Sequence, residues 1–223
     1  MTIAPFRVLL EDNHLLAVVK PAELPTMGVA EDRPSLLTEA KRYIKHKYQK
    51  PGNVYLGIVS RLDAPVTGIV LLARTSKAAR RLTEQFRERT VQKRYWCLVQ
   101  KPPTPESGRW VDWVRKDERH RKMHICEPNT QGAQEARLSY EVIKLAKRAV
   151  LLEINLETGR KHQIRVQLSA HGRPILGDRK YGSRMAFPRG IALHARQLEF
   201  DHPVRSERIT LTAPTPKSWK SFL

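Results

Sequence analysis

Residues 60–74 read Ser60-Arg61-Leu62-Asp63-Ala64-Pro65-Val66-Thr67-Gly68-Ile69-Val70-Leu71-Leu72-Ala73-Arg74. From Gly68 to Ala73 no polar side chain interrupts the chain, so this run has the look of a buried strand. Just ahead of it, Pro65 and Gly68 break regular structure. Arg61 and Asp63 stand two apart in that irregular stretch. A loop holding an acid and a base against a rigid strand is a usual place for catalytic groups. On spacing alone, an ordinary ion pair on a surface turn is the simpler reading, because such pairs are common and contribute little.

The other segments supply many strands and few helices. Phe6 to Leu10 and Leu15 to Val19 are apolar runs separated by the turn cluster Glu11-Asp12-Asn13-His14, which predicts a hairpin closed by Lys20-Pro21. Ser35 is placed to cap a helix running to about Tyr48, and Thr75-Ser76 to cap one through Ala78, Leu82 and Phe86. Tyr55 to Val59, Gln92 to Val99, Ala136 to Lys144, Ala149 to Leu156, Ala192 to Phe200 and Arg208 to Thr212 read as further strands. Residues 101–136 predict a hairpin with a mobile tip around Asp117 to Lys122. Lys161 to His171 carries helical apolar spacing. The pattern predicts an α+β domain on a large, mostly antiparallel sheet.

Charge narrows the partners. Among 223 residues, 41 are Lys or Arg and 22 are Asp or Glu, a formal net charge of +19. Charge of this size bears on partners rather than on fold. It favours nucleic acid, because neutralising phosphates releases counterions. An anionic membrane is the other candidate. The sequence has no long apolar stretch and no signal-like opening, so no membrane association is expected. Cys97 and Cys126 are the only cysteines, which suggests a reducing, cytoplasmic compartment. His120, His124 and Cys126 match no closed zinc set, so no metal is expected.

A second block runs Glu157-Thr158-Gly159-Arg160-Lys161-His162-Gln163-Ile164-Arg165-Val166, followed by Gly177-Asp178-Arg179-Lys180-Tyr181-Gly182. Gly159 would let a strand turn sharply into a helix opening with Arg160, Lys161, His162 and Gln163. A helix start with free N–H groups and several cations suits a phosphate. A solvated basic helix start fits equally well.

Four segments occur in order: Arg61-Leu62-Asp63 with Thr67-Gly68, Lys93-Arg94-Tyr95, Gly159 to Arg165, and Gly177-Asp178 with Tyr181-Gly182. Together they resemble the motif set of RluA-type pseudouridine synthases. Leu15 to Pro21 resembles that family's opening segment, and Leu193-His194-Ala195 with His202-Pro203 its closing one. The family usually has His before Arg-Leu-Asp, where this chain has Ser60, and Thr-Ser-Gly after it, where this chain has Val66-Thr67-Gly68.

The resemblance implies a pseudouridine synthase fold, a mostly antiparallel mixed sheet with flanking helices and a central catalytic cleft. It implies one catalytic domain over residues 1–223, with no room for an N-terminal S4-type module. It implies isomerisation of uridine in structured RNA, from a tRNA or 23S rRNA stem-loop, with no cofactor and by a protein expected to be a monomer. Asp63 maps onto the essential aspartate, acting on the sugar C1′ or C2′ or the uracil C6. Arg165 maps onto its basic partner, which would hold that carboxylate ionised. Tyr95 maps onto the active-site tyrosine, which stacks on uracil or relays a proton. Arg61 would fill the gap left by a flipped base. Arg160, His162, Gln163 and, less directly, Lys20 are assigned to RNA phosphate or ribose. Asp178 and Tyr181 read as structural groups of a Gly-flanked turn. The helices near 41–50 and 77–94 and the basic tip near Lys116 to Lys122 are expected RNA footprints. A non-catalytic RNA-binding protein on the same fold is the alternative, and a metal-dependent nuclease would need more clustered carboxylates.

Overall fold

The computed structural model describes residues 4–30 and 33–223. In it the apolar run forms strand β4 (Thr67–Ala73). Its neighbour β2 (Leu15–Lys20) runs antiparallel, pairing Leu16 with Leu72 and Val18 with Val70. Those four side chains share one cluster with Leu36, Ala40 and Ile44 of helix α1 (Leu36–Lys47). The alternate set, Leu15, Ala17, Ile69 and Leu71, clusters with Ala78 and Leu82 of helix α2 (Ser76–Glu88). Successive strand side chains point to opposite faces, and a helix covers each face, so no position in the run can be polar.

Both helices start where the sequence predicts. Ser35 Oγ accepts from the Thr38 amide at 3.2 Å while Thr38 Oγ1 accepts from the Ser35 amide at 2.9 Å, a reciprocal capping box. Thr75 Oγ1 accepts from the Ala78 amide at 3.1 Å. Caps of this kind are worth about 1 kcal/mol each.

The chain divides into two compact units, Met1–Val91 with Gln197–Pro214 and Gln92–Arg196 with Thr215–Leu223. In the first, β1 (Arg7–Glu11) pairs with β2, and the short β3 (Gly57–Ile58) pairs with β4. The second holds β5 (Gln92–Val99), β6 (Ser107–Asp117), β7 (Lys122–Cys126), β8 (Gln134–Leu145) and β9 (Val150–Leu156). These pair antiparallel in the order β5-β9-β8-β6-β7. With β10 (Leu193–Asp201) and β11 (Arg208–Thr212) they complete one 11-stranded sheet, β1-β2-β4-β10-β5-β9-β8-β6-β7, with β11 beside β10 and β3 beside β4. The predicted α+β class and largely antiparallel sheet are what is observed.

Two local expectations change. The strand expected over 55–59 shrinks to the two residues of β3, because the Leu71 amide, next along β4, bonds the Ser60 hydroxyl instead of a strand carbonyl. Helix α3 (Gln163–Ala170) starts later than Lys161. The left-handed residue at its start is His162, at φ +52°, not Gly159.

Candidate active site

The first unit carries Asp63 on a loop pinned at several points. Ser60 Oγ accepts from the Leu71 amide at 2.9 Å, tying the loop's start to β4. Thr26 Oγ1 donates to the Leu62 carbonyl at 2.8 Å and accepts from the Leu62 amide at 3.1 Å. A turn bond from the Val66 amide to the Asp63 carbonyl, 3.0 Å, closes the far side. Arg61 is exposed and Asp63 half-buried. A carboxylate flanked by fixed backbone on both sides is held ready without reorganising.

Lys20, expected against RNA, is instead fully buried beneath this loop. Its Nζ donates to the carbonyls of Pro21 at 2.8 Å, Leu24 at 2.7 Å and Ala64 at 3.0 Å. All three of its protons are thereby used, which corrects the sequence expectation. Burial pushes the ammonium down to about 7, and the charge of Asp63 opposes that drop. Opposite Lys20 in the ladder stands Gly68, at φ +116°, a conformation that favours glycine. The Lys-Pro and Thr-Gly motifs are therefore one structural device, holding the residue that follows Asp63.

The second unit carries the remaining residues. Tyr95 is half-buried on β5, paired with Ile154 of β9. Arg165 is buried in α3, and its Nε and Nη2 donate to the two carboxylate oxygens of Asp178 at 2.7 and 2.9 Å. The guanidinium also lies over the Tyr181 ring, 5.0 Å from its centroid. Gly177 makes this possible. It sits at φ +84°, and a Cβ there would lie 2.6 Å from Phe187 Cβ and 2.9 Å from the Gly190 carbonyl. Asp178 and Tyr181, read as turn residues, thus hold the arginine.

The Tyr181 hydroxyl accepts from the Met123 amide at 2.9 Å and lies 2.8 Å from His162 Nδ1. Arg160, half-buried, donates from Nε to the Glu135 carbonyl at 2.9 Å. Gln163, expected on RNA, is buried. Its Oε1 accepts from Thr158 Oγ1 at 2.8 Å and the Arg160 amide at 2.9 Å, and its Nε2 donates to the Arg137 carbonyl at 3.0 Å. That commitment corrects the expectation, since Gln163 organises the turn rather than facing a ligand. Of the trio weighed as metal ligands, His120 Nδ1 and His124 Nε2 both bond Asp117 Oδ2, at 2.7 and 2.9 Å.

Thr26 is the functional residue that sequence reasoning missed. A lone threonine 36 residues from Leu62 carries no local signal. The clamp between Asp178 and Arg165 was half visible, since its Gly177-Asp178 pair belongs to a motif.

Comparisons with known proteins bear on the family of the chain. A family described as RNA pseudouridylate synthase matches residues 14–170. The dual-specificity RNA pseudouridine synthase RluA of Escherichia coli (strain K12) is 34% identical over 221 residues, covering 93% of this chain and 92% of that one. Ribosomal large subunit pseudouridine synthase D of Zymomonas mobilis is 32% identical over 225 residues, covering 96% and 70%. Among solved structures, human RNA pseudouridylate synthase domain containing 4 superposes with a TM-score of 0.79 at 27% identity, covering 96% of this chain and 92% of that one. No helix among the described residues is long and apolar enough to cross a membrane. By these matches the chain belongs to the RNA pseudouridylate synthase family and is an isomerase acting on RNA.

Proposed function

We propose that the chain converts specific uridines of a structured RNA, in a tRNA or 23S rRNA stem-loop, to pseudouridine. It does so as a single catalytic domain, a cytoplasmic monomer without metal or cofactor. The glycosidic N1–C1′ bond breaks, the uracil turns, C5 bonds to C1′, the proton on C5 leaves, and the freed N1 takes up a proton. Atoms and electrons balance within the substrate, so no redox partner is needed.

Asp63 is the reacting carboxylate, acting on the ribose or the uracil. Arg165 supplies its counter-charge and Tyr95 a face for the base. Arg61 fills the stack when the uridine leaves it, a step that costs a few kcal/mol. Arg160 and His162 meet phosphate or ribose. The observation that carries this reading is the pinned loop around Asp63, with Thr26, Ser60 and buried Lys20 fixing its backbone. A surface turn has no use for a fully buried ammonium. The non-catalytic alternative finds no support, since the relatives above are named as synthases.

The test is carbodiimide labelling and primer extension on bulk tRNA and 23S rRNA treated with protein in EDTA. Wild type should give new stops, and Asp63→Asn should give none while still binding RNA. Equal stops from both proteins would sink the assignment of Asp63.

A further inference from the structure

Among the described residues of the second unit, an open groove of about 490 Å³ lies between β7, α3 and the turn at Arg179–Tyr181. Its rim carries Lys122, His124, Arg179 and Lys180, and none of its eleven lining residues is acidic. Val166 and Ala170 contribute an apolar wall. Lys122 and Arg179 have no acidic partner among the described residues, and Lys180 Nζ donates to the neutral Arg121 carbonyl at 2.7 Å. Lys122, Arg179 and Lys180 thus line a concavity with no carboxylate among its lining residues, while Asp117 bonds His124 and stands opposite Lys122 in the ladder. Concave walls of low dielectric concentrate such a field and draw a polyanion.

We propose that this groove grips backbone phosphates of the RNA arm that flanks the target uridine. The assignment rests on the synthase reading and extends it from the reacting nucleotide to the arm beside it. Two observations favour RNA over an acidic peptide. The groove shares Tyr181 with both the Arg165 clamp and His162, so an RNA met by His162 has backbone close at hand. Its floor strand β7 is also fastened to that clamp, through the Met123 amide on the Tyr181 hydroxyl. His124 in the lining is held by Asp117, which also binds His120, so these bonds tie the hairpin tip together.

The test compares wild type with the double variant Lys122→Gln/Arg179→Gln, which removes the charges without placing a second acid opposite Asp117. The probe is a fluorescein-labelled stem-loop transcript that wild type modifies, made with a short or a long stem, titrated by anisotropy across KCl concentrations. Removing about two phosphate contacts should flatten the log–log salt slope by roughly 1.4 to 1.8. The long-stem Kd should rise about tenfold, with kcat on the short stem within about twofold. The thermal midpoint should hold, because neither side chain has an ion partner to lose. The variant should lose more affinity for an RNA duplex than for polyglutamate of equal charge. An unchanged slope and long-stem Kd, in a wild type that does make pseudouridine, overturns the groove alone. A larger loss for polyglutamate makes it an acidic-peptide site and overturns the RNA assignment. A wild type that binds no RNA overturns both this inference and the synthase reading.

Discussion

Arg165 and Asp178 meet in a two-bond ion pair, Nε and Nη2 on the two carboxylate oxygens at 2.7 and 2.9 Å, with both residues buried. A guanidinium gripped at two points and seated on an aromatic ring has little rotamer freedom left. The proposed counter-charge for catalysis is therefore aimed by a second acid, not by the substrate.

Removing that acid should be severe. Asp178→Asn leaves a buried cation half-compensated and should cost about 3 kcal/mol in urea unfolding. Replacing both partners with apolar residues, Arg165→Met/Asp178→Leu, should recover much of the stability and none of the activity. A double variant that regains turnover would refute the role of Arg165.

Lys20 gives a pH signature. Its pKa falls from the ordinary 10.5 to about 7 on folding. Between those values the unfolded chain binds the extra proton, so stability rises with pH across that window. Below about 7 the full cost of burying the charge is present. Lys20→Met should remove this dependence, so the wild-type minus variant difference should climb by at most about 1.4 kcal/mol per pH unit between 7 and 10. Parallel curves from chemical denaturation at several pH values would count against it.

Thr26→Val keeps the volume but deletes both bonds to Leu62. We expect a loss of about 1–3 kcal/mol in stability. Because Leu62 precedes Asp63, kcat should fall while KM stays within about twofold. A change confined to KM would show that Thr26 does not position the carboxylate.

Ser60→Ala removes the acceptor of the Leu71 amide at 2.9 Å and should cost about 1 kcal/mol. Unfolding curves read it directly, and an unchanged midpoint would mean that water replaces the hydroxyl.

Arg61→Ala should harm duplexed targets more than RNAs in which the uridine is already unstacked, since only the former must fill a vacancy. Single-turnover rates on the two substrates measure this, and equal losses would exclude the role.

Sequence alone determined the elements whose cause is local. The two capping signals placed α1 and α2, and the uninterrupted run from Gly68 to Ala73 announced a strand with two buried faces. The ordered motifs marked the loops that matter, because the residue types needed there, an acid beside Pro and Gly or cations after a glycine, are unusual together. Which of those residues face a ligand was another matter, decided by tertiary structure. Lys20 and Gln163 look like RNA contacts in a chain of net charge +19. Only the fold shows the first spending its three protons on the carbonyls of Pro21, Leu24 and Ala64, and the second spending its amide on Thr158, Arg160 and Arg137. A buried polar group must find partners wherever the folded chain offers them, and some of those offered here lie far along the sequence. Ala64 is 44 residues from Lys20, and Leu62 is 36 from Thr26. No local pattern encodes such pairings, so the sequence named the chemistry and the tertiary structure decided which side chains perform it and which hold them in place.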